Sequence, residues 1–442
     1  MLKVGLYTLG CKVSLYETEA VGEAFERAGY AVCPFSEVCD VYVINTCTVT
    51  AESDAKSRKY IRRAVRKNPD AVVIVMGCYS QRAPEEVAEI EGVSAVLGTA
   101  DKMRCVEIAE RLLNAECGMQ NAELRKQNAE IHVTDLDGTT FEPMCVEKAP
   151  RTRAYVKIED GCECKCTYCA ISGARGPVRS KKPGEVISEV EGLYRDGTLE
   201  IVLTGIETGS YGADFEEKYD LADLLCELDS RHSCERIRLG SMAPELLSEK
   251  FIEKIANLKI MVPHFHISMQ SGSSSVLRNM KRRYNREMAL KNIARIREIM
   301  PDVMLTADLM VGFPGESEED FLDTLRFVRE ARLLDAHVFA YSRREGTPAA
   351  YYEGQVPEQI KRERSARLIA ECAAVRDEIL SEVVNLGRPL SCILESERGG
   401  LYTAHSDSYI EVSVKAKRGL SGSLVSVKPV GHENGVIIGE IL

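Results

Sequence analysis

The sequence predicts an α/β protein in three parts, and three observations predict it. Short apolar runs alternate with amphipathic helical runs in the first stretch, and a second, longer series of the same kind follows. The last stretch changes to alternating apolar and polar residues between glycine-containing turns. At 442 residues the chain is also too long for one ordinary core. No run of eighteen apolar residues occurs, and "MLKVGLYTLGCKVSLYETE" lacks a basic region followed by an apolar core. The expectation is a cytoplasmic protein with no membrane partner. In a reducing compartment its 16 cysteines point to metal binding or catalysis rather than disulfides.

In the first part, residues 1–120, "KVGLYTL", "VYVINT" and "AVVIVMG" read as buried strands. "SLYETEAVGEAFERAG" and "ESDAKSRKYIRRAVRKN" read as helices, with Ser14 and Glu17 at capping-box spacing and Gly29 and Pro69 as stops. Strand–helix alternation implies a doubly wound, mostly parallel sheet. Cys11, Cys47 and Cys78 each follow directly on a strand end. The carboxyl ends of parallel strands share one edge, so these cysteines should converge there as a ligand set. Packing preference explains Cys33, Cys39, Cys105 and Cys117, since cysteine behaves as a small hydrophobe. It does not explain three repeats of one topological position.

Residues 121–148 are polar and irregular and read as a linker. Over 149–383, "AYVKIE", "EIVLTG", "RIRLGS", "HFHISM", "LTADLMVGF" and "HVFAYS" are strand candidates separated by helical stretches, the pattern of a partial (β/α)6 barrel with its chemistry at the strand ends. A long helix over "PEQIKRERSARLIAECAAVRDEILSEVVNLG" leads out of it. Residues 384–442 read as a small antiparallel β-barrel in which Tyr402, Tyr409, Lys415, Lys417 and Arg418 would form a face for single-stranded nucleic acid.

The loop after the first strand of the second series, "EDGCECKCTYCAI", holds Cys162, Cys166 and Cys169 at C-x3-C-x2-C spacing, with no second pair of the kind that closes a zinc site. Three thiolates suit three irons of a 4Fe–4S cubane and leave the fourth iron open. Cys164 falls outside that register. The formal net charge of -11 argues against a protein that coats nucleic acid indiscriminately. Three local basic runs, Lys56–Lys67, Arg175–Lys182 and Arg278–Arg286, make a polyanionic partner plausible.

The cysteine loop at a first strand end resembles that of the radical S-adenosylmethionine enzymes. "TLGCKVSLYETE", "NTCTVTAESDAKSRKYIRR", "GCECKCTYCAISGARG", "LTGIETGSYG", "HISMQSGSSSVLRNMKRRY", "VGFPGE" and "YSRREGTPA" extend the resemblance, over nearly the full length, to the methylthiotransferases. "TLGCKV", "YETE", "NTCTVT" and the "KSR" helix are most similar to the branch that modifies N6-threonylcarbamoyladenosine 37 of tRNA. The chain departs from that branch at Ser14, at Cys164 and Lys165, and in "ISGARG", which lacks a proline.

The resemblance implies two 4Fe–4S clusters, one on Cys162, Cys166 and Cys169 in a radical core and an auxiliary one on Cys11, Cys47 and Cys78 in the N-terminal domain. It also implies S-adenosylmethionine used twice, as methyl donor and as radical source, because the adenine C2–H bond is beyond the strength of any side-chain base. Thr204 and Gly205 carry over as cofactor contacts, with Ser268 and Gln270 closing the fourth strand near ribose or substrate. Glu207 and Arg175 are secondary candidates. The implied partners are a tRNA anticodon stem-loop, bound with help from a terminal domain that looks like the TRAM module, and an electron donor such as flavodoxin or ferredoxin. Isopentenyl-adenosine 37 and a ribosomal-protein aspartate are the alternative substrates. A non-catalytic iron–sulfur RNA-binding protein is the alternative of another class, though electron-transfer clusters normally take four cysteines. Oligomeric state is left open.

Overall fold

The structure, a computed structural model, describes residues 1–116 and 129–442. Cys117 and the start of the expected linker lie outside the described residues. In the N-terminal part, strands β1 (Lys3–Thr8), β2 (Ala31–Cys33), β3 (Val41–Thr46), β4 (Val72–Gly77), β5 (Ala95–Leu97) and β6 (Glu130–His132) form one parallel sheet in the order β2-β1-β3-β4-β5-β6. Every residue of β3 and β4 is buried, as continuous apolar runs require when both faces of a sheet are covered. Helix α1 (Lys12–Arg27) and the helix Cys105–Glu116 cover one face through Val21, Phe25 and Ile108. Helix α2 (Ala51–Lys67) covers the other through Ile61 and Ala64.

Two local expectations are corrected here. Helix α1 begins two residues before Ser14: Cys11 is its N-cap, with no side-chain cap bond, and Ser14 and Glu17 are both buried inside the helix rather than forming a capping box. The helix does end ahead of Gly29, which takes φ +86°, a conformation natural to glycine. The linker expected over 121–148 contains β6, paired with β5, and its Phe141, Met144 and Val146 are buried in the next domain's core.

The central part carries the second βα series. Strands β7 (Arg153–Lys157), β10 (Glu200–Thr204) and β11 (Arg236–Leu239) run parallel in one group, and β12 (Ser241–Met242), β13 (His264–Gln270), β14 (Met304–Val311) and β15 (Asp335–Ala340) in another. The short β8 (Glu159–Asp160) and β9 (Arg179–Ser180) pair antiparallel beside the cysteine loop. The two groups are one run of six strands in which the third divides at Gly240. A Cβ there would meet Thr208 Oγ1 at 2.7 Å and the Leu203 carbonyl at 3.2 Å, so only glycine lets the neighbouring strand end approach.

Ala154, Val156, Ile201, Leu203, Ile237, Phe265, Ile267 and Leu305 join the apolar core. The alternate positions put charge on the opposite, inner face. There Glu200 pairs with Arg153 at 2.8 Å and Arg238 at 2.9 Å, and His266 faces Asp308 at 3.2 Å.

The helix Glu358–Leu386 leads to the terminal part and ends with Gly387 in the left-handed region at φ 60°. Strands β16 (Leu390–Arg398), β17 (Leu401–Ser406), β18 (Glu411–Lys415), β19 (Leu424–Glu433) and β20 (Val436–Ile441) close a barrel in the order β16-β17-β18-β20-β19. It is antiparallel except at one seam, where β18 and β20 run parallel. The expected aromatic face is corrected: Tyr402 is in the core, and Tyr409 turns inward against the central barrel. Its ring stacks on His264 with centroids 4.6 Å apart, and the Arg238 guanidinium lies 5.0 Å above it. Lys415, Lys417 and Arg418 are exposed. Among the described residues no helix is long and apolar enough to cross a membrane.

Candidate functional site

Cys162, Cys166 and Cys169 lie on the loop between β8 and the helix Ile171–Arg175. Gly161 starts the loop at φ +93°, where a Cβ would lie 1.9 Å from the Pro177 carbonyl oxygen, so the loop's entry is possible only with glycine. Each of the three sulfurs receives an N–H. The Cys164 amide donates to Cys162 Sγ at 3.5 Å, Arg282 Nη1 to Cys166 Sγ at 3.2 Å, and the Ile171 amide to Cys169 Sγ at 3.3 Å. Donors aimed at sulfur stabilise thiolate charge and tune a cluster's potential. Burial is the chief influence pushing the Cys166 and Cys169 thiols up, with Arg282 pulling the other way at Cys166 and the Ile171 amide at Cys169. Cys164 stands beside Cys162. A hydrogen bond from its partner, with Arg282 and Arg283 nearby, brings its thiol down to about 6 against the effect of burial.

The N-terminal cysteines follow the ends of β1, β3 and β4: Cys11 caps helix α1, Cys47 lies in the loop after β3, and Cys78 opens the short helix Cys78–Arg82. Gly10 and Gly77 precede two of them at positive φ. A Cβ on Gly10 would lie 3.4 Å from Cys47 Cβ, and one on Gly77 would lie 2.4 Å from Asn45 Oδ1. The close packing of glycine, strand end and cysteine brings Cys11, Cys47 and Cys78 to one edge. Burial pushes the Cys78 thiol up to about 12, with Arg175 as the chief opposing influence. It also raises Cys47, against the Val49 amide and the Ser53 hydroxyl.

Arg175 joins the two regions. It sits at the end of the helix behind the cysteine loop, fully buried, and donates from Nε to Cys78 Sγ at 3.1 Å and from Nη2 to Glu17 at 3.2 Å, with Asp160 3.1 Å from Nη1. Glu17 on α1 also takes Lys157 at 2.9 Å and Lys102 at 3.3 Å. Burial would raise the Glu17 carboxyl, but Arg175, Lys102 and Lys157 together hold it well below the usual carboxylate range. Asp160 is brought down to about 2 by Arg175 and Lys157 in the same contest with burial.

The basic run Arg175–Lys182 is therefore not an RNA face. Arg175, Arg179 and Lys181 are buried in ion pairs with Glu17, Asp160 and Glu189. Arg282, also read as part of a surface run, turns inward to Cys166 and lies 4.9 Å over the Tyr284 ring. The remaining basic surfaces are the outer face of α2, with Lys56, Lys59, Arg62, Arg63 and Arg66 exposed, and the turn with Arg278, Lys281 and Arg283.

Thr204 ends β10, buried, with its carbonyl accepting from the Ile158 amide at 2.9 Å. Gly205 makes room for a carboxylate, since a Cβ would lie 2.3 Å from Glu159 Oε2, an oxygen that accepts the Glu207 amide at 3.0 Å. Burial raises the Glu207 carboxyl to about 8 although the Ala243 amide donates to it. Ser268 offers its carbonyl to Arg282 Nη2 at 3.1 Å and to the Tyr284 hydroxyl at 2.7 Å. Gln270 holds φ +66° beside a bulge in β13, a conformation uncommon for a residue with a Cβ. A cavity of about 1020 Å³ between Pro143–Lys148 and the helix Pro183–Arg195 contains none of the six cysteines.

Among the described residues no three ligating side chains come close enough to hold a single ion. A cubane takes its thiolates at separate irons and so accepts wider spacing. The donors at each sulfur of the loop and the guanidinium on Cys78 are of the kind that stabilises thiolate charge, as ligands of such a group require.

Residues 156–328 match the model of the Radical SAM superfamily, and residues 3–98 match that of the uncharacterized protein family UPF0004. Threonylcarbamoyladenosine tRNA methylthiotransferase MtaB of Bacillus subtilis is 41% identical over 97% of this chain and 94% of its own length. The chain belongs to the radical S-adenosylmethionine tRNA methylthiotransferases. MtaB of Aquifex aeolicus is 34% identical over 96% of this chain and all of that protein, and tRNA-2-methylthio-N(6)-dimethylallyladenosine synthase of Alkaliphilus oremlandii is 35% identical over 87% and 80%. Among solved structures, the radical S-adenosylmethionine methyltransferase TsrM of Kitasatospora setae superposes with a TM-score of 0.58 at 16% identity, covering 92% of this chain and 81% of that one, a likeness of fold. As a methylthiotransferase the protein is an enzyme that modifies tRNA, with two 4Fe–4S clusters and S-adenosylmethionine as cofactors.

Proposed function

We propose that this methylthiotransferase adds a methylthio group to C2 of N6-threonylcarbamoyladenosine at position 37 of tRNA, in the cytoplasm. Cys162, Cys166 and Cys169 would hold the cluster that engages S-adenosylmethionine, and Cys11, Cys47 and Cys78 the auxiliary one. The observation that carries the reading is Arg175, which reaches from the helix behind one triad to a sulfur of the other and so supports two centres facing one chamber. When bound, the clusters and S-adenosylmethionine supply an electron, a primary-carbon radical strong enough for an adenine C–H bond, and the sulfur and methyl that are installed.

The chain's own residues bind and orient. Arg282 donates to Cys166 and fixes the Ser268 carbonyl, so a single side chain sets the loop against the end of β13. Thr204, Gly205, Ser268 and Gln270 line the strand ends where the cofactor is expected. Lys157 and Asp160 form a buried ion pair behind the cysteine loop. The α2 face and the turn at Arg278–Arg283 supply positive charge for the phosphates of an anticodon stem-loop, and Lys415, Lys417 and Arg418 extend it as a TRAM-like RNA-binding module. Electrons would come from a flavodoxin or ferredoxin.

The choice of base modification is supported by the "TLGCKV" and "NTCTVT" motifs and by relatives named for threonylcarbamoyladenosine. Nucleoside analysis of tRNA from cells lacking the gene tests it. The expected result is loss of the methylthio group from threonylcarbamoyladenosine with the isopentenyl product untouched. The reverse pattern assigns the enzyme to the dimethylallyladenosine branch instead.

A further inference from the structure

The motif "YSRREGTPA" follows β15, the last strand of the barrel, and touches both cysteine sites. Near its start, the Ser342 hydroxyl accepts the Ala51 amide at 3.1 Å. Arg344, 4% exposed, donates from Nη2 to Thr48 Oγ1 at 2.8 Å and to Asp54 Oδ2 at 2.5 Å. Thr48 follows Cys47 directly, and Asp54 lies in the first turn of α2. The same Asp54 oxygen is 3.7 Å from Nη1 of Arg82, which ends the short helix opened by Cys78, and Arg82 Nη2 returns to the Glu345 carbonyl at 2.6 Å. The Thr347 hydroxyl then closes a turn on the Arg344 carbonyl at 2.7 Å. Further on, the Ala349 amide donates at 2.8 Å to the carbonyl of Thr167, which stands between Cys166 and Cys169.

One contact between two domains leaves them free to pivot, and a second at a different point stops the pivot. Arg175 makes one such contact at Cys78. Arg344 makes another beside Cys47, and its pair with Asp54 lies out of water, where loss of either partner strands the other's charge. Resting on the assignment of the auxiliary cluster to Cys11, Cys47 and Cys78, we propose that Arg344 is a positioning residue: through Thr48 and Asp54 it fixes the Cys47 loop on the barrel and so sets the separation of the two cluster sites. It touches no reacting atom. Reductive cleavage of S-adenosylmethionine needs the barrel's own centre alone, whereas methylthio product needs both centres at one carbon, where a small misplacement costs rate steeply. Loss of Arg344 therefore uncouples product from cleavage.

The test uses the reconstituted holoenzyme under anaerobic reductant, with tRNA from cells lacking the gene as substrate, so that either base modification is read. Two quantities are measured: the magnetic interaction between the two reduced clusters by electron paramagnetic resonance, and the methylthio product formed per 5′-deoxyadenosine. Arg344→Met should keep both cluster signals, weaken their interaction, and lower the product ratio about tenfold or more. Thr48→Val, nearly isosteric and removing only the bond to Arg344, should move both quantities the same way, the ratio by about twofold or more. Wild-type values of both quantities in Arg344→Met overturn the inference. Should Arg344→Met lose iron from either site, Thr48→Val decides, and wild-type values there overturn it. A Cys47→Ala holoenzyme that keeps both cluster signals overturns instead the ligand assignment on which the inference rests.

Discussion

The two cysteine sites are built in opposite ways. Cys162, Cys166 and Cys169 come from eight consecutive residues, and their geometry is set by one loop with its own glycine and amide donors. Cys11, Cys47 and Cys78 come from three separate strand ends, and their meeting depends on the order of β1, β3 and β4 in the sheet. The first site draws its ligands from one loop and takes one long-range donor, Arg282, at Cys166. The second exists only when a whole domain is folded, so its integrity reports on that domain.

The sharpest test of this contrast is ligand removal. Cys162→Ala, Cys166→Ala or Cys169→Ala should abolish reductive cleavage of S-adenosylmethionine, read as 5′-deoxyadenosine under anaerobic reductant. Cys11→Ala, Cys47→Ala or Cys78→Ala should keep cleavage within about tenfold of wild type yet yield no methylthio product. Full product from any of these three would break the division of labour.

Next in size is the bridge between the sites. Arg175→Met leaves Glu17 and Asp160 short of a partner in a dry interior, which should cost about 3–5 kcal/mol and show as a fall in denaturation midpoint. Arg282→Met serves the local site alone. It should leave the midpoint nearer to wild type while moving the reduction potential of that cluster to more negative values, measured by redox titration with electron paramagnetic resonance.

Backbone changes give a smaller separation. Gly77→Ala forces a Cβ to within 2.7 Å of the Thr46 carbonyl and should lose about 1–3 kcal/mol along with auxiliary iron. Gly173→Ala, in the helix behind the other loop, has open space around it and should stay within about 0.5 kcal/mol. Smallest of all is Cys164→Ala, expected to change cleavage by about twofold or less, because the substitution keeps the Cys164 amide that donates to Cys162 Sγ and Cys164 lies outside the C-x3-C-x2-C register. A large loss would bring Cys164 into the ligand set.

The same contrast explains what could be read from the sequence. Spacing alone exposes a local loop, and repeated placement after strand ends exposes the dispersed one, because topology follows from the alternation of strand and helix. The direction of a charged side chain is not written in a local run. Arg175, Arg179 and Arg282 look like solvated basic residues until tertiary packing brings Glu17, Asp160 and Cys166 against them. Tyr409 turns inward for the same reason. A tyrosine in a small barrel suits RNA stacking equally well until a second domain supplies His264 and Arg238. Glu17 matched a capping box by spacing, but its partners lie 85 or more positions away, at Lys102, Lys157 and Arg175.

Because Glu17 is lent by one half of the molecule to cations of the other, the catalytic core is not a portable cassette. Severed from its neighbour, it would open Lys157, Asp160 and Arg175 to flooding with one acidic member missing. Any chimaera that exchanges the first domain among relatives must therefore import an acid at that point of the helix, or the graft will gape along the seam.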